Sequence, residues 1–140
     1  MKSYYLIISL SVFVITLAVA QRGKENAITK SENYKNGKEV YNKVCLSCHM
    51  EDGAGVPHLN PPLIKTSYVS GNKTKLIQIV LKGMNERVKI EDESYSNVMA
   101  SHADLSDQQI ADVLTYIRNS FGNKYGIVTA TEVKAARELK

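Results

Sequence analysis

The sequence predicts an all-α fold with long irregular connections between its helices. Apolar residues recur at spacings of three and four along several segments, as they do on one face of an α-helix. The stretches between those segments are rich in glycine, proline and aspartate, which disfavour regular helices and central strands. Alternation typical of a strand is confined to a short piece around Val88 and Ile90, so we expect a small hairpin at most.

Four helices are predicted from the periodic segments and their end signals. We expect them from near Ser31 toward Cys45 and Cys48, from about Asn72 to Lys82, from 107 to 119, and from Thr129 to about Leu139. Gly83 has the position of a residue that ends the second helix. Ser106 with Gln109, and Thr129 with Glu132, have the spacing of capping boxes at the start of the third and fourth helices.

The apolar stripes of these helices are the candidate core, and they are modest. Their members are Gly37, Val40, Tyr41 and Val44, then Leu76, Ile77, Val80 and Leu81, then Ile110, Val113, Leu114 and Ile117. The chain has no Trp and two Phe, of which Phe13 lies in the N-terminal apolar run. Small domains with so little apolar material commonly depend on disulfides, a metal or a bound group, so we expect such an addition.

The first twenty residues have the pattern of a secretory signal peptide. Lys2 precedes an apolar run from Tyr4 to Ala20, which ends in Ala18-Val19-Ala20. The run is nearly long enough to span a membrane, so an uncleaved anchor is the alternative. We expect a signal peptide or anchor at 1–20, a linker at 21–30 and one domain at 31–140, in the periplasm or otherwise exported, with membrane contact only if residues 4–20 remain.

The charge distribution argues against nucleic-acid binding. Without Lys2 the chain has 17 basic and 14 acidic residues, a net charge of +3. The basic residues are spread along the chain and interleaved with acidic ones, so there is no dense basic tract to bind a phosphate backbone.

Both cysteines and one of the three histidines lie in the single stretch CLSCH at 45–49. A structural zinc site needs four ligands, and the sequence offers no second closely spaced pair. A thioredoxin-like pair needs cysteines at the start of a helix after a strand, whereas the helical periodicity here precedes Cys45. A disulfide across so short a loop would constrain little of the unfolded chain and would leave His49 without a role.

The C-x-x-C-H spacing is the known signal for covalent haem attachment. Side chains three residues apart on a helix project to nearly the same side, so Cys45 and Cys48 can each form a thioether to the porphyrin rim. His49 follows at once and can turn its ring over the porphyrin face toward the iron. We therefore predict one haem c, attached through Cys45 and Cys48 and ligated by His49.

Four stretches together resemble the class I c-type cytochromes, a family of small monohaem proteins. They are CLSCH at 45–49, GAGVPHLNPPL after it, YSNVM at 95–99 and LSDQQIADVLTYIRNSFGN at 105–123. The C-terminal run and VTATEVKAARE further resemble the small cytochromes found with bacterial sugar or alcohol dehydrogenases. Over residues 31–140, the resemblance implies a cytochrome c-like domain whose long loops wrap around one haem. It also implies that the first and third helices cross where Gly37 meets Tyr116.

The residues alone leave several candidates for the second axial ligand of the iron. Met50 is too close to His49 to reach across the ring, which leaves Met84, Met99, His58 and His102. Met99 matches the ligand methionine of the family in YSNVM, so the resemblance implies ligation by His49 and Met99. Met84, directly after Gly83, is the main alternative.

The other two histidines are expected to be solvated loop residues. Lone histidines such as His58 and His102 usually have no metal. A metal-bound imidazole normally donates its second N–H to a fixed acceptor. By resemblance, the acceptor for His49 is the backbone carbonyl of Pro61 or Pro62.

The predicted function is electron transfer, by a one-electron carrier rather than an enzyme. Expected donors are a dehydrogenase or a membrane quinol oxidoreductase, and expected acceptors are a terminal oxidase or another cytochrome of a respiratory chain. Such encounters are small and transient, and the lysines would give mild steering. The alternatives are a haem sensor or catalytic haem protein with an open distal site, and a haem-free CxxC thiol oxidoreductase.

Overall fold

The computed structural model describes residues 27–29, 31–90 and 92–139. The predicted signal peptide or anchor at 1–20 and most of the linker at 21–30 lie outside the described residues, so both stay predictions. Within the described ranges, no helix is both long and apolar enough to cross a bilayer.

The regular secondary structure of the described residues is helical apart from one two-stranded sheet, and long irregular loops connect the helices, which confirms the all-α prediction. The elements are α1 Glu32–Val40, a π-helical turn Tyr41–Cys45, α2 Leu46–His49, α3 Ser67–Ser70, α4 Lys73–Lys82, β1 Val88–Ile90, β2 Glu93–Tyr95, α5 Asp107–Arg118 and α6 Ala130–Arg137. The strands form the expected antiparallel hairpin, with Val88 opposite Tyr95. The short helix α3 is not predicted by the sequence, because four residues are too few to show a helical period.

The first helical run begins where the sequence predicts and leads to the cysteines without a break. The Ser31 hydroxyl caps α1 by accepting a hydrogen bond from the Tyr34 N–H at 3.3 Å. The π-helical turn then widens the backbone before α2 ends at His49. Both cysteines and the histidine therefore lie at the C-terminal end of one continuous helical run.

The helix crossing at Gly37 is confirmed. A Cβ atom on Gly37 would lie 2.0 Å from the Asp112 carbonyl oxygen and 2.9 Å from Cβ of Tyr116. Only a residue without a side chain lets the two backbones approach so closely. The crossing fixes α1, and with it the cysteines, against α5.

The helix α5 lies at the centre of the domain. Its predicted capping box is present, with the Ser106 hydroxyl accepting from the Gln109 N–H at 3.2 Å. Every residue from Ile110 to Arg118 is buried. The buried surface of this helix is therefore wider than the predicted stripe, because other elements surround the helix. The buried cluster comprises Tyr41, Val69, Leu76, Ile77, Val80, Leu81, Ile110, Ala111, Val113, Leu114, Tyr116, Ile117, Val128, Val133 and Ala136.

The other predicted helix ends agree to within two residues. The helix α4 begins after Asn72 and ends at Gly83, whose φ is 74°. The capping box at Thr129 is present, but α6 ends at Arg137 rather than Leu139. Helix α5 ends at Arg118 rather than at 119.

Asn123 attaches the proline-containing loop to the centre of the domain. Its side-chain amide donates to the carbonyls of Leu63 and Ile117, each at 2.9 Å, and its Oδ1 accepts from the Lys65 N–H at 2.8 Å. The amide group thereby holds the end of the loop after Pro62 against the last turn of α5.

Candidate haem site

The two cysteines are free thiols that lie beside one cavity. Cys45 is half-buried and Cys48 is exposed. Burial raises the pKa of the Cys45 thiol to about 11, with a further contribution from the charge of Cys48. A thiol oxidoreductase needs the opposite change, a lowered pKa that favours the thiolate, so this site does not fit that alternative.

His49 is held in one orientation by the proline-containing loop. Its Nδ1 lies 3.0 Å from the carbonyl oxygen of Pro61. A carbonyl only accepts hydrogen bonds, so Nδ1 carries the proton and Nε2 keeps a lone pair. Burial lowers the pKa of His49, and nearby His102 lowers it further, against the raising effect of the Pro61 hydrogen bond. A neutral imidazole with a free Nε2 is the form that binds a metal.

The cavity beside these residues has a volume of about 340 Å³. Its wall is lined by Val44, Cys45, Cys48, His49, Asn60, Pro61, Pro62, Leu63, Thr66, Tyr68, Val69, Leu76, Ile79, Val80, Met84, Val88, Ile90, Tyr95, Asn97, Val98, Met99, Ala100, His102, Leu105, Val113, Leu114 and Ile117. None of these described lining residues is Asp, Glu, Lys or Arg. The volume lies in the range typical of cofactor sites, and the apolar wall suits a flat aromatic macrocycle.

Met84 and Met99 lie side by side on the wall of this cavity. They form an isolated antiparallel bridge, in which the Met84 N–H donates to the Met99 carbonyl at 2.9 Å and the reverse bond is 2.8 Å. Residues directly opposite in an antiparallel pair project to the same face. The geometry thus brings the predicted ligand and its main alternative to the same place.

The segment after Met99 is fixed to the C-terminal end of α4. The Ser101 hydroxyl donates to the Leu81 carbonyl at 2.6 Å, and the His102 N–H donates to the Val80 carbonyl at 2.9 Å. Gly83 makes this approach possible, since a Cβ there would lie 2.4 Å from the Met99 carbonyl oxygen. The position of Met99 therefore depends on α4 and on Gly83.

The remaining candidate ligands separate into two groups. His58 is exposed, as predicted, and does not line the cavity. The prediction for His102 is wrong, because His102 is half-buried and lines the cavity. Its backbone bond to Val80 draws it inward, and no local sequence pattern reports such a bond.

One contact beside the C-x-x-C-H stretch was not predicted by the sequence. The buried Tyr41 donates its hydroxyl hydrogen to the Met50 carbonyl at 2.6 Å, directly after the C-x-x-C-H stretch. Burial raises the pKa of Tyr41, so the phenol stays protonated and keeps donating. The predicted proline acceptor for His49 is confirmed, and it is the carbonyl of Pro61 rather than that of Pro62. Tyr41 was predicted only as a core residue, because its hydrogen bond to Met50 depends on the fold.

The part of the chain that the structure describes holds no cluster of the zinc type. Among the described residues, no group of three or more His, Cys, Asp or Glu side chains is placed to hold a metal ion. Two thiols, one oriented imidazole and an uncharged cavity instead fit a covalently attached porphyrin.

A C-x-x-C-H stretch on the wall of one uncharged cavity fits a protein that holds a single covalently attached haem. The family model described as Cytochrome c matches residues 34–121. The chain belongs to the cytochrome c family. It therefore carries one covalently attached haem c and functions in electron transfer.

Three curated relatives show which kinds of cytochrome the chain is similar to. Cytochrome c-552 of Thermus thermophilus is 32% identical over 114 residues, covering 75% of this chain and 86% of that protein. The cytochrome c subunit of a quinone alcohol dehydrogenase from Gluconacetobacter polyoxogenes is 38% identical over 104 residues, covering 73% of this chain but 22% of that subunit. The gluconate 2-dehydrogenase cytochrome c subunit of Pantoea cypripedii is 33% identical over 115 residues, covering 80% of this chain and 26% of that subunit.

Proposed function

We propose that the chain is a carrier of single electrons, rather than an enzyme, and that His49 and Met99 are the axial ligands of its haem iron. The observation that carries the proposal is the His49–Pro61 hydrogen bond of 3.0 Å, which leaves Nε2 free beside a cavity that Met99 also lines. When bound, the haem supplies the one-electron change between Fe(III) and Fe(II).

Each residue of the site has a defined task in this proposal. Cys45 and Cys48 fix the porphyrin to the helical run by two thioethers. Pro61 fixes the tautomer and the orientation of the His49 ring. The Met99 thioether would be the second side-chain ligand of the iron and would raise its reduction potential. With His49 and Met99 both holding the iron, no position would be left for a substrate, and this is why we propose a carrier.

The proposed partners are other redox proteins. Donors would be a dehydrogenase or a membrane quinol oxidoreductase, and acceptors a terminal oxidase or another cytochrome. Support comes from the similarity to cytochrome subunits of dehydrogenases, of which this chain covers about a quarter. We place the protein in the periplasm or another exported location, and a membrane anchor would require residues 4–20 to remain attached.

The mouth of the cavity suggests how such partners dock. The loop at 58–60 and the loop at 96–98 are joined by hydrogen bonds, including one of 3.0 Å from the Asn97 N–H to the Leu59 carbonyl. Leu59 is 45% exposed and Val98 is 69% exposed. Residues 53–64 and 94–103 contain no Asp, Glu, Lys or Arg. We name these two uncharged segments the neutral rim, and we propose that partners contact it rather than the lysines.

Two measurements test the proposed function. The first is a haem-stained denaturing gel of the protein exported in a host with cytochrome c maturation machinery, where a stained band is expected. The second is carbon monoxide binding by the reduced protein at neutral pH, which is expected to be slow and incomplete because Met99 closes the iron. An unstained band would reject haem attachment. Rapid and complete carbon monoxide binding would instead favour the sensor or catalytic alternative.

A further inference from the structure

Arg118 is a cation in the interior of the domain. It is the last residue of α5 and is 4% exposed. Nη1 donates to the Val69 carbonyl and Nη2 to the Tyr125 carbonyl, each at 2.5 Å. The Tyr125 ring centroid lies 5.8 Å from the guanidinium carbon. All of these partners are uncharged.

No carboxylate neutralises this charge at close range within the described part of the chain. The ion pairs found there are Lys73 with Glu132 and Arg137 with Asp107, each at 2.8 Å. Nε of Arg118 is buried and has no hydrogen-bond partner among the described residues. Burial lowers the pKa of Arg118, with Glu132 acting in the opposite direction, but a guanidinium still stays protonated. The interior therefore contains a positive charge that is only partly offset.

The charged side chain is hydrogen-bonded to a residue of the cavity wall. Val69, whose carbonyl accepts from Nη1, lines the cavity and is 1% exposed. Ile117, the residue before Arg118, lines it as well. Buried charges are poorly screened by solvent and act over longer distances than surface charges do.

We infer that Arg118 raises the reduction potential of the haem, in addition to joining α5 to the chain around Val69 and Tyr125. The inference rests on the proposed function, because it requires the haem in this cavity. A fixed positive charge disfavours the oxidised iron, which has one more positive charge than the reduced iron. Surface lysines are screened by water and salt, so they have less effect per charge. Arg118 thus sets the potential and does not contact the reacting iron.

The decisive comparison is Arg118→Met against Arg118→Lys in the haem-loaded protein. Both variants lose the two-pronged hydrogen bonding, but only Arg118→Met loses the charge. We expect the midpoint potential of Arg118→Met to fall by an amount equal to about a tenfold change in the equilibrium constant, about 59 mV for one electron. Arg118→Lys should keep most of the wild-type potential. A Met variant with the wild-type potential, or a Lys variant that falls equally far, would overturn the inference.

If neither Arg118 variant yields haem-loaded protein, a second pair of variants tests whether the buried charge affects the reduction potential. Tyr125 lies half-buried beside the guanidinium, so Tyr125→Glu brings a negative charge to it and Tyr125→Gln brings a neutral group of the same size. The two variants lose the same ring, so their difference reports charge. We expect the potential of Tyr125→Glu to lie below that of Tyr125→Gln. Equal potentials would contradict a role for the buried charge.

The result can be separated from a failure of the proposed function. Haem staining and slow carbon monoxide binding of the wild-type protein test haem attachment and ligation, and neither depends on Arg118. If both are normal while the potentials do not change, only the role of Arg118 is rejected. Carbon monoxide binding by each variant also shows whether the iron position stays closed, so a lost ligand is not mistaken for an electrostatic effect.

Discussion

Met84 and Met99 exchange both of their backbone hydrogen bonds, at 2.9 and 2.8 Å, on the wall of the cavity. Two thioethers are thus available where one iron ligand is needed. The bridge itself uses only main-chain atoms, so replacing either side chain should leave it intact. This makes the two methionines a matched pair for a test of ligation.

We predict that Met99→Ala keeps the haem attached and lowers the midpoint potential, because a thioether ligand favours reduced iron. The reduced variant should also bind carbon monoxide rapidly, since the iron position opens. Met84→Ala should have the wild-type potential, and its carbon monoxide binding should remain as slow as that of the wild-type protein. Redox titration with haem staining as the check on attachment measures both variants. If Met84→Ala shows the drop and Met99→Ala does not, Met84 is the ligand.

Gly83 leads to the second prediction. Its φ is 74°, and a Cβ would lie 2.4 Å from the Met99 carbonyl oxygen and 2.8 Å from the Ser101 nitrogen. Gly83→Ala should therefore destabilise the protein by about 3 kcal/mol or more, since backbone on both sides must shift. Denaturant unfolding measures this loss. Rapid carbon monoxide binding should accompany it, because the segment that positions Met99 moves.

Gly126→Ala is the control for Gly83→Ala. Gly126 has a φ of 75°, but apart from its chain neighbours no heavy atom of the described residues lies within 4 Å of the position that its Cβ would occupy. This variant also places alanine at a positive φ but without the collision, so we expect a loss of about 1 kcal/mol and unchanged ligation. Equal losses at the two positions would show that contact with the Met99 segment is unimportant.

The helices were predictable because their signals are local. Ser31, Ser106 and Thr129 cap helices by bonding residues three positions later, so the sequence shows both partners at once. The burial of Leu76, Ile77, Val80 and Leu81 follows from their spacing in the same way. The C-x-x-C-H stretch is also local, so haem c could be predicted from five residues.

The remaining features depend on contacts between residues that are far apart in the chain. His102 lines the cavity because its backbone N–H bonds to the Val80 carbonyl. Arg118 is held in the interior by hydrogen bonds to carbonyls that are 49 and 7 residues away in the chain. A pattern based on side-chain polarity assigns both residues to the surface. The choice of Pro61 over Pro62 likewise depends on a distance of 3.0 Å that only the fold defines.

The third prediction concerns covalent attachment. Cys45→Ala and Cys48→Ala should each lower the yield of haem-stained protein, because each removes one thioether. Ser47→Ala is the control within the same five residues, since Ser47 is exposed and, among the described residues, its hydroxyl has one hydrogen bond, to the Cys48 sulfur at 3.9 Å. Haem staining relative to total protein is the measurement. A full yield from either cysteine variant would mean that this sulfur is not needed for attachment.

The fourth prediction tests the helix crossing. Replacing glycine by alanine inside an exposed helix stabilises a protein by about 1 kcal/mol. At Gly37 the sign should reverse, with a loss of about 3 kcal/mol, because the new Cβ would lie 2.0 Å from the Asp112 carbonyl oxygen. Lys38→Ala, at an exposed position of α1, should change the free energy of unfolding by less than about 0.5 kcal/mol. A stabilised Gly37→Ala variant would exclude the tight crossing.

The last prediction distinguishes docking at the neutral rim from steering by lysines. Electron self-exchange between oxidised and reduced copies of the protein provides a partner of known surface. Val98→Lys adds a charge to the rim of both molecules, so we expect self-exchange to slow about fivefold at low salt and to recover as salt is added. Ile127→Lys adds the same charge at a residue that is 48% exposed and does not line the cavity, so its rate should stay close to that of the wild type. Equal slowing by both variants would mean that net charge, rather than the rim, controls the encounter.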